Sequence, residues 1–194
     1  MKRQIYLDYA YEVADLIWQD YDARRHRAIE EGKAALRDRG KLQNTFQFVG
    51  TVAPAEAMRH KQTGAVCYLD RAKRYLLDVY GVYRTLKTCQ ETQNITLRNA
   101  DFPTLGWMFE PEPYISTYNE IKAAADFTAE ETAQIETVVD LAMRPIEMMP
   151  EYGPMNRSIL RALNLAAAGS SFPAHEKSQQ WLKMGRHIFA DSLD

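Results

Sequence analysis

Apolar residues recur at helical spacing along most of the chain, whereas the alternation expected of a β-strand is weak. The first periodic segment begins at Ile5 and continues to Arg39. We expect one long helix over residues 5–39, broken or kinked at Gly32. Gly40 should end it, because glycine weakens helix interiors and favours the position just after a helix.

Six further helices are predicted from the same periodicity, and each has a local signal near its start or end. Pro54 suits the first turn of its helix. Thr128 and Glu131 have the spacing of a capping box, and Pro145 should bend that helix or end it early. The predicted spans are about 54–63, 66–87, 114–125, 128–149, 156–168 and 174–190.

The longest irregular stretch extends from Cys89 to Pro113. It is too rich in large apolar residues to be disordered, and loops of this length in compact domains are usually functional. We therefore expect an ordered loop whose aromatic side chains pack on the body or line a groove.

These elements predict an all-α protein built from antiparallel helical hairpins joined by short turns. Such stacking favours a solenoid or a toroid over a four-helix bundle. We interpret residues 1–194 as a single helical domain, with the long helix over 5–39 followed by hairpins over 52–190.

Composition narrows the possible partners and cofactors. The chain has 194 residues, 46% of them hydrophobic, and a net charge of −2, which favours neither nucleic acid nor an anionic membrane as a partner. Cys67 and Cys89 are separated by a predicted helix about 30 Å long, so a disulfide between them is not expected. Zinc-ligand spacing and a glycine-rich phosphate loop are both absent from the sequence, so we expect neither a metal nor a cofactor.

The most informative stretch is residues 151–158, where a turn containing glycine and proline leads into an apolar helix. The turn brings Asn156 and Arg157 to the first turn of that helix, where the partial positive charge favours an anion. An amide and a guanidinium at such a place suit a carboxylate or a sulfate. In the alternative interpretation, Asn156 only caps the helix and Arg157 is only solvated.

Aromatic residues near this stretch are candidates for stacking on sugar rings, with Trp107 the best of them; the others are Tyr114, Tyr118 and Tyr152. Aromatic rings at helix joints more often serve only to fill the core. His60 and His175 are interpreted as surface or capping residues rather than catalytic ones.

Two stretches carry a resemblance to known families. The stretch from His60 to Leu77, with Lys61, Thr63 and Gly64 before the helix, resembles a hairpin of (α/α)-toroid glycan enzymes. The segment from Gly153 to Trp181 is similar to a toroid helix pair of heparinase II/III-like and alginate-lyase-like polysaccharide lyases. That segment contains Asn156, Gly169 and Phe172-Pro173-Ala174-His175. The helix that starts at Thr128 also fits, so the resemblance covers most of residues 55–190.

The resemblance implies an incomplete (α/α) toroid and, in the same polypeptide, a C-terminal domain beyond it. It implies a polysaccharide lyase that cleaves uronic-acid-containing glycans by β-elimination, with Asn156 neutralising the uronate carboxylate. It also implies an acidic polysaccharide or oligosaccharide as the partner and a periplasmic or secreted location, although the sequence shows no signal peptide. Arg157 departs from the family, which often has a His- or Trp-type residue there, and the family's Tyr and His acid–base residues generally come from later in the chain. The alternative is a non-catalytic helical-repeat module that binds a glycan or a protein.

Overall fold

The structure, a computed structural model, describes residues 2–39, 48–96, 105, 108–149 and 156–192. Within these ranges the chain forms eight α-helices and no β-strand, which confirms the all-α prediction. The helices are α1 (Lys2–Gln19), α2 (Tyr21–Arg39), α3 (Val49–Thr63), α4 (Val66–Thr92), α5 (Pro111–Ile121), α6 (Ala129–Met148), α7 (Asn156–Ser171) and α8 (Ser178–Asp191). None of the described helices is both long enough and apolar enough to cross a lipid bilayer.

Helices α3, α5 and α7 form one layer and run in the same direction. Paired contacts between them advance together along the chain, as they do only between parallel helices. The pairs are Gly50 with Glu110, Lys61 with Glu120, Glu112 with Asn164 and Asn119 with Ser171. All three helices therefore begin at the same end of the layer.

Helices α4, α6 and α8 form a second layer, which runs in the opposite direction. The pairs Asp140 with Lys177 and Glu147 with Trp181 advance together from α6 to the start of α8, and Lys73 with Glu131 joins α4 to α6. Between α3 and α4 the order reverses, because Arg59 lies over the Tyr68 ring while Glu56 contacts Arg71. Between α7 and α8 the order reverses, because Gly169 contacts Leu182 and Gly185 contacts Ala162. The hairpins expected from the sequence are therefore present for α3–α4 and α7–α8.

The N-terminal segment is two helices, not the single helix predicted over residues 5–39. The break is at Asp20 rather than Gly32, next to a stack of Trp18 on Tyr21 with ring centroids 5.4 Å apart. Gly32 lies inside α2, where a Cβ atom would lie 2.8 Å from the Leu86 side chain. Its small size permits close contact with α4. The predicted helix end at Gly40 lies outside the described residues.

The helix boundaries show which local signals were informative. The capping box is confirmed, because the Glu131 N–H donates to Thr128 Oγ1 (3.1 Å) and the Thr128 N–H donates to Glu131 Oε2 (2.8 Å). Pro54 does not begin α3, which starts five residues earlier. Pro145 lies inside α6, which continues to Met148. The first-turn prediction for Pro54 was therefore wrong.

Three other predicted boundaries also shift. Helix α4 continues past Lys87 to Thr92, α5 covers 111–121 rather than 114–125, and α8 starts at Ser178 rather than at Ala174.

Both cysteines are free, as expected, with Cys67 exposed and Cys89 buried.

Alanine substitution should have different effects on stability at two glycines of this fold, Gly169 and Gly81. A Cβ at Gly169 would lie 2.6 Å from the Ser178 carbonyl oxygen and 3.1 Å from the Leu182 nitrogen. Because these are backbone atoms of the adjoining hairpin arm, Gly169→Ala should lower the free energy of unfolding by about 1–3 kcal/mol. A Cβ at Gly81 would instead meet the end of the flexible Arg25 side chain at 3.1 Å. Gly81→Ala should therefore leave stability unchanged or raise it by up to about 1 kcal/mol.

Urea unfolding followed by far-ultraviolet circular dichroism measures both changes. If both substitutions raised stability equally, the close contact of α7 with α8 at Gly169 would be wrong.

Candidate functional site

The first turns of α3, α5 and α7 lie at one end of their layer, and α7 extends furthest there. Asn164 of α7 is level with Glu112 at the start of α5, through a hydrogen bond of 2.9 Å from the Glu112 N–H to Asn164 Oδ1. Eight residues precede Asn164 in α7, so its first turn stands about 10 Å beyond the start of α5. Each of these helix starts carries partial positive charge, which Glu112 offsets in the first turn of α5, so the starts of α3 and α7 are the ones that favour an anion.

Asn156 and Arg157 are the first two residues of α7, and both side chains are exposed to solvent. A carboxylate arriving there meets an amide donor, a guanidinium and the start of a helix. The two residues that the sequence singled out therefore lie together at the most protruding helix start in the described part of this layer.

Two buried polar side chains hold this part of α7 in place. Asn164 is 1% exposed, and its amide donates to the Met108 carbonyl oxygen at 3.0 Å as well as accepting from Glu112. Arg161 is also 1% exposed and donates from Nε to the Ile146 carbonyl oxygen (2.8 Å) and from Nη2 to that of Glu147 (2.9 Å). These bonds fix α7 against the start of α5 and the end of α6. Both residues sit among the apolar positions of α7, which is the one sequence signal that could have indicated this role.

A groove of about 460 Å³ opens between the starts of α3 and α5, at the same end of the layer. Its walls include Thr51 of α3 and Ser116 of α5, together with Glu112, whose carboxylate accepts a hydrogen bond from the Ser116 hydroxyl. Hydroxyl and carboxylate groups of this kind suit the hydroxyl groups of a sugar.

The structure corrects two of the aromatic candidates. Tyr114 is completely buried, its hydroxyl donates to the Leu76 carbonyl oxygen at 3.0 Å, and burial raises its pKa well above the ordinary value. Tyr118 is 7% exposed and its ring stacks on Phe172 with centroids 5.6 Å apart. Both rings belong to the core and present no face to a sugar. Trp107 and Tyr152 lie outside the described residues.

His60 and His175, the two histidines interpreted from the sequence as surface or capping residues, make contacts at helix ends. His60 Nδ1 lies 3.0 Å from the Ala65 carbonyl oxygen, at the turn between α3 and α4. His175 Nδ1 accepts from the Lys177 N–H at 3.2 Å, just before α8, and the ring stacks on Trp181. These are the contacts of capping residues. Among the described residues there is no cluster of three or more His, Cys, Asp or Glu side chains that could hold a metal ion.

A cluster of charged side chains between α1, α3 and α4, with Glu56 at its buried end, was not predicted. Glu56 is completely buried, with Oε1 at 3.3 Å from Arg71 Nη1, while Oε2 has no hydrogen-bond partner among the described residues. Asp15 accepts from Arg59 at 2.8 Å and from Arg71 at 2.9 Å, so the cluster ties α1 to the α3–α4 hairpin. A glutamate on the apolar face of α3 was the signal available in the sequence.

The Glu56 carboxyl should make the stability of the protein depend on pH. Burial raises its pKa above the ordinary value, against the smaller opposing effect of Arg71. At low pH the carboxyl is protonated in both states and has no effect. As the pH rises through the unfolded value of about 4.3, the unfolded state loses its proton first, so the free energy of unfolding falls until the folded pKa is passed.

Glu56→Gln removes this loss, so the variant should gain stability relative to the wild type as the pH rises from about 4 to about 7. Chemical unfolding at several pH values measures the difference, with Glu31→Gln, at an exposed position of α2, as the control for the loss of one glutamate charge from the chain. A Glu56→Gln curve that fell relative to the wild type over this range would contradict a raised pKa.

Comparisons of this chain with protein-family models, with curated proteins and with solved structures return no match.

Proposed function

We propose that this chain is the N-terminal toroid segment of a polysaccharide lyase that cleaves uronic-acid-containing glycans by β-elimination. The observation that carries the proposal is the placement of Asn156 and Arg157 at the exposed start of α7, on the end of the layer where α3 and α5 also begin. In this proposal the end of the layer binds the acidic sugar, and Asn156 neutralises its carboxylate.

β-Elimination removes the proton at C5 of the uronic acid and expels the oxygen at C4. The proton is weakly acidic, because the ionised carboxylate and the enolate-like intermediate together concentrate negative charge. Donors placed at the carboxylate stabilise the transition state more than the substrate, since that charge develops during the reaction. The Asn156 amide and the Arg157 guanidinium supply such donors. In the lyases that the sequence resembles, the Tyr and His that move the proton come from later in the chain.

The arrangement of the helices supports the finer fold proposal, an incomplete (α/α) toroid. Two layers of parallel helices run in opposite directions, and the hairpins α3–α4 and α7–α8 each contribute one helix to each layer. The groove between the starts of α3 and α5, at the same end of the layer, has Thr51, Ser116, Glu112 and Glu120 in its lining and could accept the hydroxyl groups of neighbouring sugar units. By the same resemblance, we propose that the protein works in the periplasm or outside the cell.

Equilibrium binding tests the proposal directly on this chain. Oligomers of uronic acids should bind, and the same oligomers with their carboxylates reduced to alcohols should bind at least tenfold more weakly, because the amide, the guanidinium and the helix start all select for an anion. Binding should weaken in Asn156→Ala and Arg157→Ala and should fall with added salt. Equal affinity for the acidic and reduced oligomers would refute the site.

A second measurement separates the enzyme from a binding module. A lyase leaves an unsaturated sugar whose ultraviolet absorbance increases as the polymer is cleaved. Selective binding without such a product, measured on the entire polypeptide that contains these residues, would favour the non-catalytic helical module instead.

A further inference from the structure

One exposed aromatic side chain lies at the end of the layer where α3, α5 and α7 begin. Phe109 precedes α5 by two residues and is 69% exposed. Two other aromatic residues near this end face inward: Tyr114 of α5 is completely buried, and the Phe48 ring, just before α3, packs edge-on against Tyr21 with centroids 6.3 Å apart. Phe109 therefore presents an apolar ring to solvent at the end of the layer that carries the proposed sugar site.

The turn that carries Phe109 is held in place on both sides. Its neighbours Met108 and Glu110 are buried. The Asn164 amide bridges the turn, because it donates to the Met108 carbonyl oxygen at 3.0 Å and accepts from the Glu112 N–H at 2.9 Å. A ring presented on a backbone fixed in this way loses little conformational freedom when a ligand binds to it.

The same asparagine joins the Phe109 turn to the proposed carboxylate site. Asn164 lies in α7, whose first two residues are Asn156 and Arg157, so its two bonds connect that helix to both sides of the turn. Within the layer α5 lies between α3 and α7, which places Phe109 between the groove at the starts of α3 and α5 and the start of α7. A glycan that follows this end of the layer from the groove to Asn156 passes the Phe109 ring.

We propose that Phe109 is a stacking platform for the sugar unit next to the uronic acid whose carboxylate Asn156 and Arg157 bind. The faces of a pyranose ring carry C–H groups, which pack on the negative face of an aromatic ring. Such a contact needs no charge on the sugar, which suits the start of α5, where Glu112 offsets the positive charge of the helix. The inference rests on the proposed function, since it assigns a second binding position in the same site.

The stacking contact should make binding depend on the length of the ligand. A single uronic acid fills only the carboxylate position, whereas an oligomer also covers Phe109. Phe109→Ala should therefore weaken the binding of a uronic acid oligomer by about three- to tenfold and leave the binding of a single uronic acid unchanged. Asn156→Ala should weaken the binding of both ligands. If Phe109 only shaped the turn, its removal would also affect both ligands.

Three further variants show whether the ring itself is needed. Phe109→Tyr keeps an aromatic face and should bind the oligomer as the wild type does, whereas Phe109→Leu keeps an apolar side chain without a ring and should bind it nearly as weakly as Phe109→Ala. Phe189→Ala removes another exposed phenylalanine, on α8 in the second layer, and should leave binding unchanged. Calorimetry measures the affinity for the oligomer, an NMR titration measures that for the single uronic acid, and circular dichroism verifies that each variant is folded.

Oligomers with reduced carboxylates separate this inference from the function on which it rests. Because stacking does not need the carboxylate, Phe109→Ala should weaken the binding of reduced and acidic oligomers by the same factor. If the wild type prefers acidic oligomers but Phe109→Ala binds them equally well, the platform is overturned and the carboxylate site stands. If the wild type binds both kinds equally and Phe109→Ala still weakens both, the carboxylate site is refuted and the platform stands.

Three other results would also overturn the platform. The first is an equal effect of Phe109→Ala on the single uronic acid and on the oligomer, and the second is a loss of binding in Phe189→Ala as large as that in Phe109→Ala. The third, no binding of any oligomer to the wild type, would overturn the carboxylate site as well.

Discussion

In the entire polypeptide that contains these residues, the substitution Asn156→Ala should lower the rate of β-elimination on a uronate polymer by a factor of about 10²–10³, without changing the fold. This is the usual loss when one donor to a developing oxyanion is removed from an active site. Asn156 is exposed at the first turn of α7, and the buried bonds that hold this helix belong to Arg161 and Asn164, so its removal leaves them in place. The rate is measured from the absorbance of the unsaturated product, and the fold from the far-ultraviolet circular dichroism spectrum.

Asn164 provides a matched control in the same helix. Asn164→Ala removes two buried hydrogen bonds, to the Met108 carbonyl and from the Glu112 N–H, so it should destabilise the protein by about 1–3 kcal/mol. The two asparagines thus separate activity from stability: the first variant should lose rate at unchanged stability, and the second should lose stability. If Asn156→Ala kept its rate within a factor of a few, the carboxylate-binding role would belong to another residue.

The helical class and several helix ends could be predicted from the sequence because their causes are local. The capping box of Thr128 and Glu131 needs only residues three apart, and both of its hydrogen bonds form. The break at Asp20 could not be predicted in this way. Its neighbours Trp18 and Tyr21 stack on each other and both contact Tyr75 of α4, more than fifty residues away.

The polar anchors of α7 were missed for the same reason. Arg161 and Asn164 appeared only as polar interruptions of an apolar helix, and their partners are backbone groups of other elements, which no sequence pattern identifies. For two of the aromatic candidates, a role was predicted from the sequence that the structure does not show. Tyr114 and Tyr118 lie close in sequence to the predicted groove, but the direction of α5 turns both rings into the core.

Removing the Arg161 side chain should produce the largest loss of stability, about 3 kcal/mol or more. The last four carbonyl groups of a helix have no partner within it, and Arg161 satisfies two of them at the end of α6, those of Ile146 and Glu147. Hydrogen bonds from a charged donor contribute about 1.5–3 kcal/mol each, and the positive charge is favourable at a helix C-terminus. Arg161→Ala leaves both carbonyls buried without these bonds.

Urea unfolding of three variants tests this role. Arg161→Lys keeps the charge but loses the planar pair of donors, so its stability should fall between that of the wild type and that of Arg161→Ala. Arg186→Ala removes an exposed arginine of α8 and should stay within about 0.5 kcal/mol of the wild type. Equal stabilities of Arg161→Ala and Arg186→Ala would show that the guanidinium is not an anchor.

Because Asn156 lies only five residues before Arg161, a folded Arg161→Lys should also bind uronate oligomers more weakly, since the start of α7 is then held less firmly.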